Sequence, residues 1–154
     1  MTGPSDVRIR TATAADEAGV VACVNAAYQQ YVAAIGKKPA PMLADYTRLI
    51  DDGFVRVAAA GDTVVGVIVM WSKPDHLYVD NVAVLPASQG TGLGRLLLDE
   101  ADAAAVCGGH DEIRLYTNEK MTANLDYYPR RGFVETHRID EDGYRRVYFS
   151  RRVR

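Results

Sequence analysis

The sequence predicts a mixed α/β (α+β) fold in a single domain, with a largely antiparallel sheet. Three observations predict it. The chain has 154 residues, a length that fits one domain with a self-sufficient core. Its composition, 48% hydrophobic and 25% charged, is ordinary for a globular protein. Runs with strand and helix periodicity follow one another in the order β-α-α-β-β-β-α-β-α-β-β, which lacks the repeated strand–helix units of a doubly wound sheet.

The first third of the chain predicts one strand and two helices. Residues 1–6 are expected to form a loose tail, and the alternation in 7–11 predicts a strand. Thr13 precedes acidic residues, which is typical of a helix N-cap, and apolar residues then recur at helical spacing over 14–35. A shorter helix is predicted over 42–51.

The middle of the chain predicts three strands. The β-rich runs 54–60 and 64–71 are joined by the hairpin signal Ala60-Gly61-Asp62-Thr63. A further strand over 77–85 ends at Pro86. Strict alternation would give this strand one face made of Tyr78, Asp80, Val82 and Val84 and another made of Val79, Asn81 and Ala83.

The last third predicts one crossover and a closing hairpin. An amphipathic helix follows a glycine-rich loop and ends at Gly108-Gly109. The remaining predicted elements are a strand over 112–116, a helix over 121–131 with Pro129 in or after its last turn, and strands over 133–139 and 144–151. One strand–helix–strand unit therefore lies between antiparallel hairpins.

Composition excludes several functional classes. The formal net charge of −2 argues against a general nucleic-acid binder. The basic cluster near the end is interpreted as the polar face and frayed end of the last strand: Arg145, Arg146, Arg151, Arg152 and Arg154. No apolar run approaches the length of a membrane helix, and no signal peptide is expected. We therefore predict a cytoplasmic protein with no membrane partner.

The two cysteines, Cys23 and Cys107, lie far apart inside helical patterns. A disulfide framework or a metal site needs more ligands at closer spacing. Both cysteines are therefore interpreted as small buried apolar residues, and no metal cofactor is expected.

The most informative segment lies between the third predicted strand of the middle region and the helix that follows. It reads Gln89-Gly90-Thr91-Gly92-Leu93-Gly94-Arg95. Glycines allow the backbone to approach a ligand, and a helix N-terminus offers unpaired N–H groups to phosphate. The loop has three other interpretations: a plain turn that binds no ligand, a dinucleotide-binding fingerprint and a P-loop. A fingerprint needs G-x-G-x-x-G and a P-loop needs Gly-Lys-Ser/Thr, and neither pattern is present.

This loop, preceded by Val82-Ala83-Val84 and Pro86, resembles the coenzyme-A loop of the GNAT acetyltransferases, whose pattern is Q/R-x-x-G-x-G/A after a strand ending V-x-P. A second block, 124–133, resembles the later motif of that family, in which a Tyr stands four residues before a Gly-Phe pair. Tyr128 and Gly132-Phe133 have that spacing. The predicted element order also agrees, so the resemblance covers nearly the whole chain.

The resemblance implies a fold, a co-substrate and a set of roles. The fold is the acyl-CoA N-acyltransferase fold, and the co-substrate is acetyl-CoA. The residues that would contact it are Val82, Ala83, Val84, Gln89, Gly90, Thr91, Gly92, Leu93, Gly94, Arg95 and Asn124. Many family members carry an Asn seven residues before the Tyr, but Met121 stands there, so Asn118 and Asn124 both remain candidates.

Two residues are predicted to act in catalysis. Tyr128, by the family match, would protonate the departing sulfur. Asp80 would accept the amine proton, directly or through water, with His76 as the less favoured base. A route through an acetyl-cysteine is disfavoured because neither cysteine lies near the two motifs.

The resulting hypothesis is an acetyl-CoA-dependent N-acetyltransferase. It would move an acetyl group to a primary amine of a small molecule or peptide by direct attack in a ternary complex. The alternative is a non-catalytic acyl-CoA-binding or sensing domain on the same scaffold. The acceptor's identity is not encoded in any motif, and a homodimer is possible.

Overall fold

The computed structural model describes residues 6–154 and contains one seven-stranded sheet in the order β1-β2-β3-β4-β5-β7-β6. The strands are β1 Arg8–Thr11, β2 Val55–Ala60, β3 Thr63–Ser72, β4 Leu77–Val84, β5 Glu112–Asn118, β6 Val134–Glu141 and β7 Tyr144–Arg152. Among the described strand pairs only β4–β5 is parallel. The predicted mixed sheet is confirmed, and residues 1–5 of the predicted tail lie outside the described part.

The helices follow the predicted order, with two interruptions. They are α1 Glu17–Tyr28, α2 Val32–Ile35, α3 Tyr46–Asp51, α4 Leu93–Cys107 and α5 Thr122–Arg130. The single helix predicted over 14–35 is wrong, because a 3-10 turn at Gln29–Tyr31 separates α1 from α2 directly after Tyr28. The second predicted helix is also divided: Ala40–Leu43 is a 3-10 turn, and Asp45 caps α3 by accepting the backbone N–H of Arg48 at 3.1 Å.

The sheet separates two apolar clusters. On one face, α4 and α5 bury Leu93, Leu97, Tyr128 and Phe133 against the strands. On the other face, α1 and α3 bury Val20, Val24, Tyr46 and Ile50. These clusters hold the sheet between two helical layers and fix where each strand ends.

A β-bulge in β4 overturns one predicted detail. Asn81 lies opposite Val69 and Val79 lies opposite Met70, so Asp80 is an extra residue on β4. Val79 consequently packs on the α4 side of the sheet, as do Val82 and Val84. The Asn81 side chain lies on the α1 side, where it donates to the Tyr46 hydroxyl. The prediction that Asp80 shares a face with Val82 and Val84 is therefore wrong, because the bulge reverses the alternation.

The parallel pair β4–β5 is short. It runs only from Leu77↔Ile113 to Val79↔Leu115, although both strands continue well beyond that point. The two strands therefore diverge in the middle of the sheet and leave a gap that opens between the helical layers.

Two interpretations of single residues fail. Arg151 is no part of a frayed end: it is buried, and its Nη2 contacts both carboxylate oxygens of Asp102 in α4, at 2.7 and 2.8 Å. Cys23 is buried as expected, but Cys107 is exposed because it lies on the last turn of α4.

Candidate active site

A cleft occupies the gap between β4 and β5. Its floor comes from the diverging strands, its sides from α1 and α5, and its rim from the 39–41 segment and the start of β7. The lining residues are Tyr28, Pro39, Ala40, Pro41, Val79, Asp80, Asn81, Val82, Leu115, Tyr116, Thr117, Asn118, Met121, Asn124, Tyr128, Tyr144 and Arg146. Both residues predicted to act in catalysis, Asp80 and Tyr128, are among them.

The β4 edge of the gap carries unpaired backbone groups. The N–H of Leu85 donates to the carbonyl of Val65 at 2.9 Å. Because antiparallel strands bond at every second residue, this bond shows which residues of β4 pair with β3. Val82 and Val84 are the non-bonded positions, so their N–H and C=O groups point away from β3 and toward the gap. Ala83 turns its own toward β3, opposite Val67. The predicted coenzyme contact through the Ala83 backbone is therefore not supported by the register.

Both carbonyls at this edge already have side-chain partners. The Val82 oxygen accepts from the Tyr28 hydroxyl at 2.9 Å, and the Val84 oxygen accepts from Nε2 of Gln89 at 3.2 Å. The N–H groups of Val82 and Val84 are the free hydrogen-bonding groups of the edge. An extended ligand could pair with them as an added strand would.

The glycine loop continues directly from this edge into α4. Gly90 and Gly92 have φ values of 78° and 88°, which residues other than glycine rarely adopt. The hydroxyl of Thr91 donates to the Ser88 carbonyl at 2.6 Å and tightens the turn. The backbone N–H groups of 90–92 donate to no described group, and those of the first α4 turn have no intrahelical acceptor. The loop is therefore a set of converging donors at the positive end of a 15-residue helix.

The third glycine of the loop has a packing role. Gly94 lies inside the first turn of α4, where a Cβ would come within 3.0 Å of the Tyr127 hydroxyl oxygen. The guanidinium of Arg131 lies over the Tyr127 ring, with its central carbon 5.4 Å from the ring centroid. The close approach of α4 and α5 thus joins the two sequence motifs in space.

Tyr128 lies at the bottom of the cleft. Its ring packs against Phe133 and Phe149, with centroid distances of 5.7 and 5.8 Å. Burial raises the pKa of its phenol well above the ordinary value, so the hydroxyl keeps its proton at neutral pH. That hydroxyl makes no hydrogen bond to any residue in 6–154, and the residue lines the cleft, so the hydroxyl is available to a ligand.

Asp80 lies at the bulge, where its side chain is half-buried. Burial raises the pKa of its carboxyl, while a hydrogen bond from the Tyr78 hydroxyl at 3.3 Å and the charge of Arg146 oppose that rise. A carboxylate with a raised pKa is a stronger base than an exposed one, and no described residue forms an ion pair with it.

Asn124 lines the cleft from α5. Its Nδ2 donates to the Thr117 hydroxyl at 3.0 Å, which links α5 to β5. Asn118, the other candidate, instead accepts the backbone N–H of Lys120 at 2.9 Å and shapes the turn before α5. Both amides line the cleft, Asn124 from α5 and Asn118 from the end of β5.

Several predicted alternatives lie outside the cleft. His76 pairs with its neighbour Asp75, Nδ1 to Oδ1 at 2.7 Å, before β4 begins. Cys23 is buried in the α1 layer, which raises the pKa of its thiol to about 12, and Cys107 is at the far end of α4. Neither thiol is suited to carry an acetyl group.

Three residues that line the cleft were not assigned to the site from the sequence. Arg146 was grouped with a polar strand face, but its side chain is nearly buried and lies over Tyr116, 4.4 Å from the ring centroid. Tyr28 was considered for an acceptor pocket, but its helical spacing favoured a core position, and Tyr144 was predicted only as the first residue of the last strand. Arg146 reaches the cleft through the β5–β7 pairing, in which Tyr116 lies opposite Tyr148 and Asn118 opposite Arg146. Only the strand order reveals those neighbours.

Residues 6–154 contain no cluster of three or more metal-ligating side chains. Within the same range, no helix combines the length and the apolar character that a membrane span requires.

Comparison with known proteins gives two consistent findings and one negative one. Residues 20–133 match the family described as Acetyltransferase (GNAT) family. A GNAT-family acetyltransferase structure from Desulfovibrio desulfuricans superposes with a TM-score of 0.76, at 21% identity over 96% of this chain and 99% of that one. No curated protein matches the chain significantly by sequence.

Two further structures have the same fold. A GNAT-family acetyltransferase from Staphylococcus aureus Mu50 has a TM-score of 0.79, at 15% identity over 96% of this chain and 99% of that one. The PaiA N-acetyltransferase of Thermoplasma acidophilum, solved in complex with coenzyme A, has a TM-score of 0.75, at 18% identity over 95% of this chain and 98% of that one.

Proposed function

The chain belongs to the GNAT acetyltransferase family, and from that premise we propose that it transfers the acetyl group of acetyl-CoA to a primary amine. The transfer is direct, within a ternary complex. One observation carries the proposal: the unpaired edge of β4, the half-buried Asp80 and the buried hydroxyl of Tyr128 meet in a single cleft. An acyl-CoA-binding module would need the edge and the loop but not the two titratable groups.

We assign the β4 edge and the glycine loop to the coenzyme and call them the coenzyme end. The N–H groups of Val82 and Val84 would pair with the pantetheine amides. The donors of 90–95 would hold the pyrophosphate, with Arg95 adding a positive charge. Asn124 would line the pantetheine arm from α5. The complex of PaiA with coenzyme A supports this assignment by fold similarity.

We assign the opposite side of the cleft to the amine and call it the acceptor end. It consists of Asp80, Tyr116, Arg146 and the 39–41 segment. Asp80 takes one proton as the amine nitrogen forms its bond to the acetyl carbon. Tyr128 gives one proton to the sulfur as the carbon–sulfur bond breaks, and the two transfers leave the total proton count unchanged.

Two measurements test the proposal. Acetyl-CoA, and not NAD, should raise the melting temperature, since a ligand at a hundredfold excess over Kd adds about 2.7 kcal/mol of stability. Release of free coenzyme A should then be followed with a panel of primary amines. Acceptor-dependent release supports the transferase. Stabilisation by acetyl-CoA without release for any amine would favour the non-catalytic alternative, and stabilisation by NAD alone would overturn the site.

A further inference from the structure

The acceptor end contains two opposite charges that do not neutralise each other. Asp80 and Arg146 are the charged residues among those that line the cleft. Both side chains line the same cleft, and the charge of Arg146 opposes the rise that burial causes in the pKa of the Asp80 carboxyl. No ion pair joins them in the described part of the chain, where the contacts of Arg146 are to Glu141 and Asp142.

Arg146 has hydrogen-bonding capacity that the fold does not use. Its ion pairs with Glu141 and Asp142, at 2.8 and 3.5 Å, both use Nη1. Its Nε is buried and has no hydrogen-bond partner among residues 6–154. The guanidinium is fixed in place by the Tyr116 ring beneath it. Nη2 is the terminal nitrogen that neither ion pair uses, and a carboxylate bound there would add a charge-assisted hydrogen bond.

The rim above these charges is bridged. The Tyr144 hydroxyl, at the start of β7, donates to the Lys38 carbonyl at 2.5 Å. The ammonium of Lys37 lies over the same ring, 4.2 Å from its centroid. This bridge joins the segment after α2 to the β6–β7 hairpin across the acceptor end. A contact that closes this side of the cleft favours a small acceptor over an extended polypeptide.

We propose that the acceptor is a small molecule with a carboxylate beside its amine, that is, a free amino acid. Its amine meets Asp80 and its carboxylate meets Arg146. A polyamine and a protein N-terminus both lack a carboxylate at this position. This inference rests on the proposed acetyltransferase function and makes its acceptor more specific.

The test compares acceptors that differ only at the carboxylate. Initial rates are measured with acetyl-CoA and with L-phenylalanine, L-leucine and L-methionine, each beside its amide and its decarboxylated amine. The amide is a demanding control, because its amine is less basic and a larger share of it is neutral and nucleophilic. We expect kcat/KM for at least one free amino acid to exceed that of its amide and of its amine by about tenfold or more.

Variants of Arg146 identify the source of that preference. Arg146→Gln should lower kcat/KM for the amino acid about tenfold more than for its amide, since the loss of charge near Asp80 acts on both acceptors and only the amino acid loses a carboxylate partner. Arg146→Lys should lie between, since an ammonium keeps the charge without the planar fork. Arg145→Gln, an exposed neighbour on the opposite strand face, is the matched control and should change neither. Ratios between acceptors cancel any loss of folded protein.

The possible failures are distinct. If amides and amines react as well as the amino acids, or if Arg146→Gln lowers all acceptors equally, the inference is wrong and the acetyltransferase remains. If no compound of the panel and no other primary amine is acetylated while acetyl-CoA binds, the proposed function itself is wrong.

Discussion

The coenzyme end of the cleft comes from one continuous stretch of chain, residues 82–95, whereas the acceptor end collects side chains from strands and loops far apart in sequence. The coenzyme end uses mainly backbone N–H groups, which every residue but proline supplies. The acceptor end uses side chains, Asp80 and Arg146 among them, whose neighbours are set by the order of β4, β5 and β7. Substitutions at the coenzyme end should therefore affect binding of the coenzyme, and those at the acceptor end should affect turnover or acceptor choice.

The largest effect is expected at the coenzyme end. Gly92→Asp adds a negative charge beside the phosphate groups, and like charges 4 Å apart repel by about 4 kcal/mol at an effective dielectric constant of 20. Coenzyme affinity should fall by about 100-fold or more, as measured by isothermal titration. Unchanged affinity would exclude this loop as the phosphate site.

Two controls separate charge from strain in that experiment. Gly92→Asn has the same size without the charge and should lose much less affinity. Gly61→Asp is a similar change at another position with positive φ, 60° against 88°, in the open turn between β2 and β3. It should lower the melting temperature without altering coenzyme affinity.

Tyr128→Phe tests the point where the two ends meet. The change removes only the hydroxyl that would protonate the sulfur, so kcat should fall by about 100-fold if that step limits the rate. Coenzyme affinity and melting temperature should change little, because the ring still packs against Phe133 and Phe149. Steady-state kinetics beside a melting curve measure both.

Tyr127→Phe is the neighbouring control. Its ring contacts α4 near Gly94 and does not line the cleft. This variant should keep wild-type kcat. If Tyr127→Phe loses turnover while Tyr128→Phe retains it, the assignment of the acid is wrong.

Asp80→Asn should lower turnover less than Tyr128→Phe does. Unlike that change, it should also stabilise the fold at neutral pH. We expect kcat/KM to fall by about tenfold to 100-fold, since water can replace the carboxylate as proton acceptor. Burial raises the folded-state pKa of Asp80 above its unfolded value. The ionised form therefore destabilises the fold, increasingly as pH rises through the unfolded pKa and fully above the folded one. Asp80→Asn should consequently raise the melting temperature at neutral pH and leave it unchanged in acid.

The pH profile gives an independent measurement for Asp80. In the wild type, kcat/KM should fall as pH drops through the raised pKa of the carboxyl, and in Asp80→Asn that acidic limb should shift or disappear. A variant with full activity and an unchanged profile would make Asp80 a structural residue of the bulge.

The smallest effect is expected at the rim. Tyr144→Phe removes the hydrogen bond to Lys38 but keeps the ring beneath Lys37. A hydrogen bond of this kind contributes about 0.5–1.5 kcal/mol. Acceptor KM should therefore rise by about twofold to tenfold, while coenzyme affinity stays constant. An effect on coenzyme affinity equal to that on the acceptor would show that the two ends are not separate.

The contrast between the contiguous coenzyme end and the dispersed acceptor end also explains how much could be predicted from sequence. The element order, the mixed sheet and the glycine loop follow from local periodicity and from one contiguous motif. Asp80 was found because it lies on the strand that leads into that motif. Its face was predicted wrongly, because nothing in strict alternation signals the bulge. Arg146 was missed because its partners, Tyr116 and Glu141, become neighbours only through pairing of β7 with β5 and β6.

Some predictions stay predictions. The single-domain assignment of 1–154, the cytoplasmic location, the possible homodimer and the contact of Asn124 with the coenzyme are tested neither by the fold nor by the family match.

The open edge of β4 has a consequence for amide hydrogen exchange. In the free protein, the amides of Val82 and Val84 face the gap, whereas those of Ala83 and Leu85 are held by β3. Exchange along this strand should therefore alternate between fast and slow from one residue to the next. Acetyl-CoA should slow the two fast positions and leave the slow ones unchanged. Such a change of pattern would report occupancy of the gap residue by residue, without any need to know the acceptor.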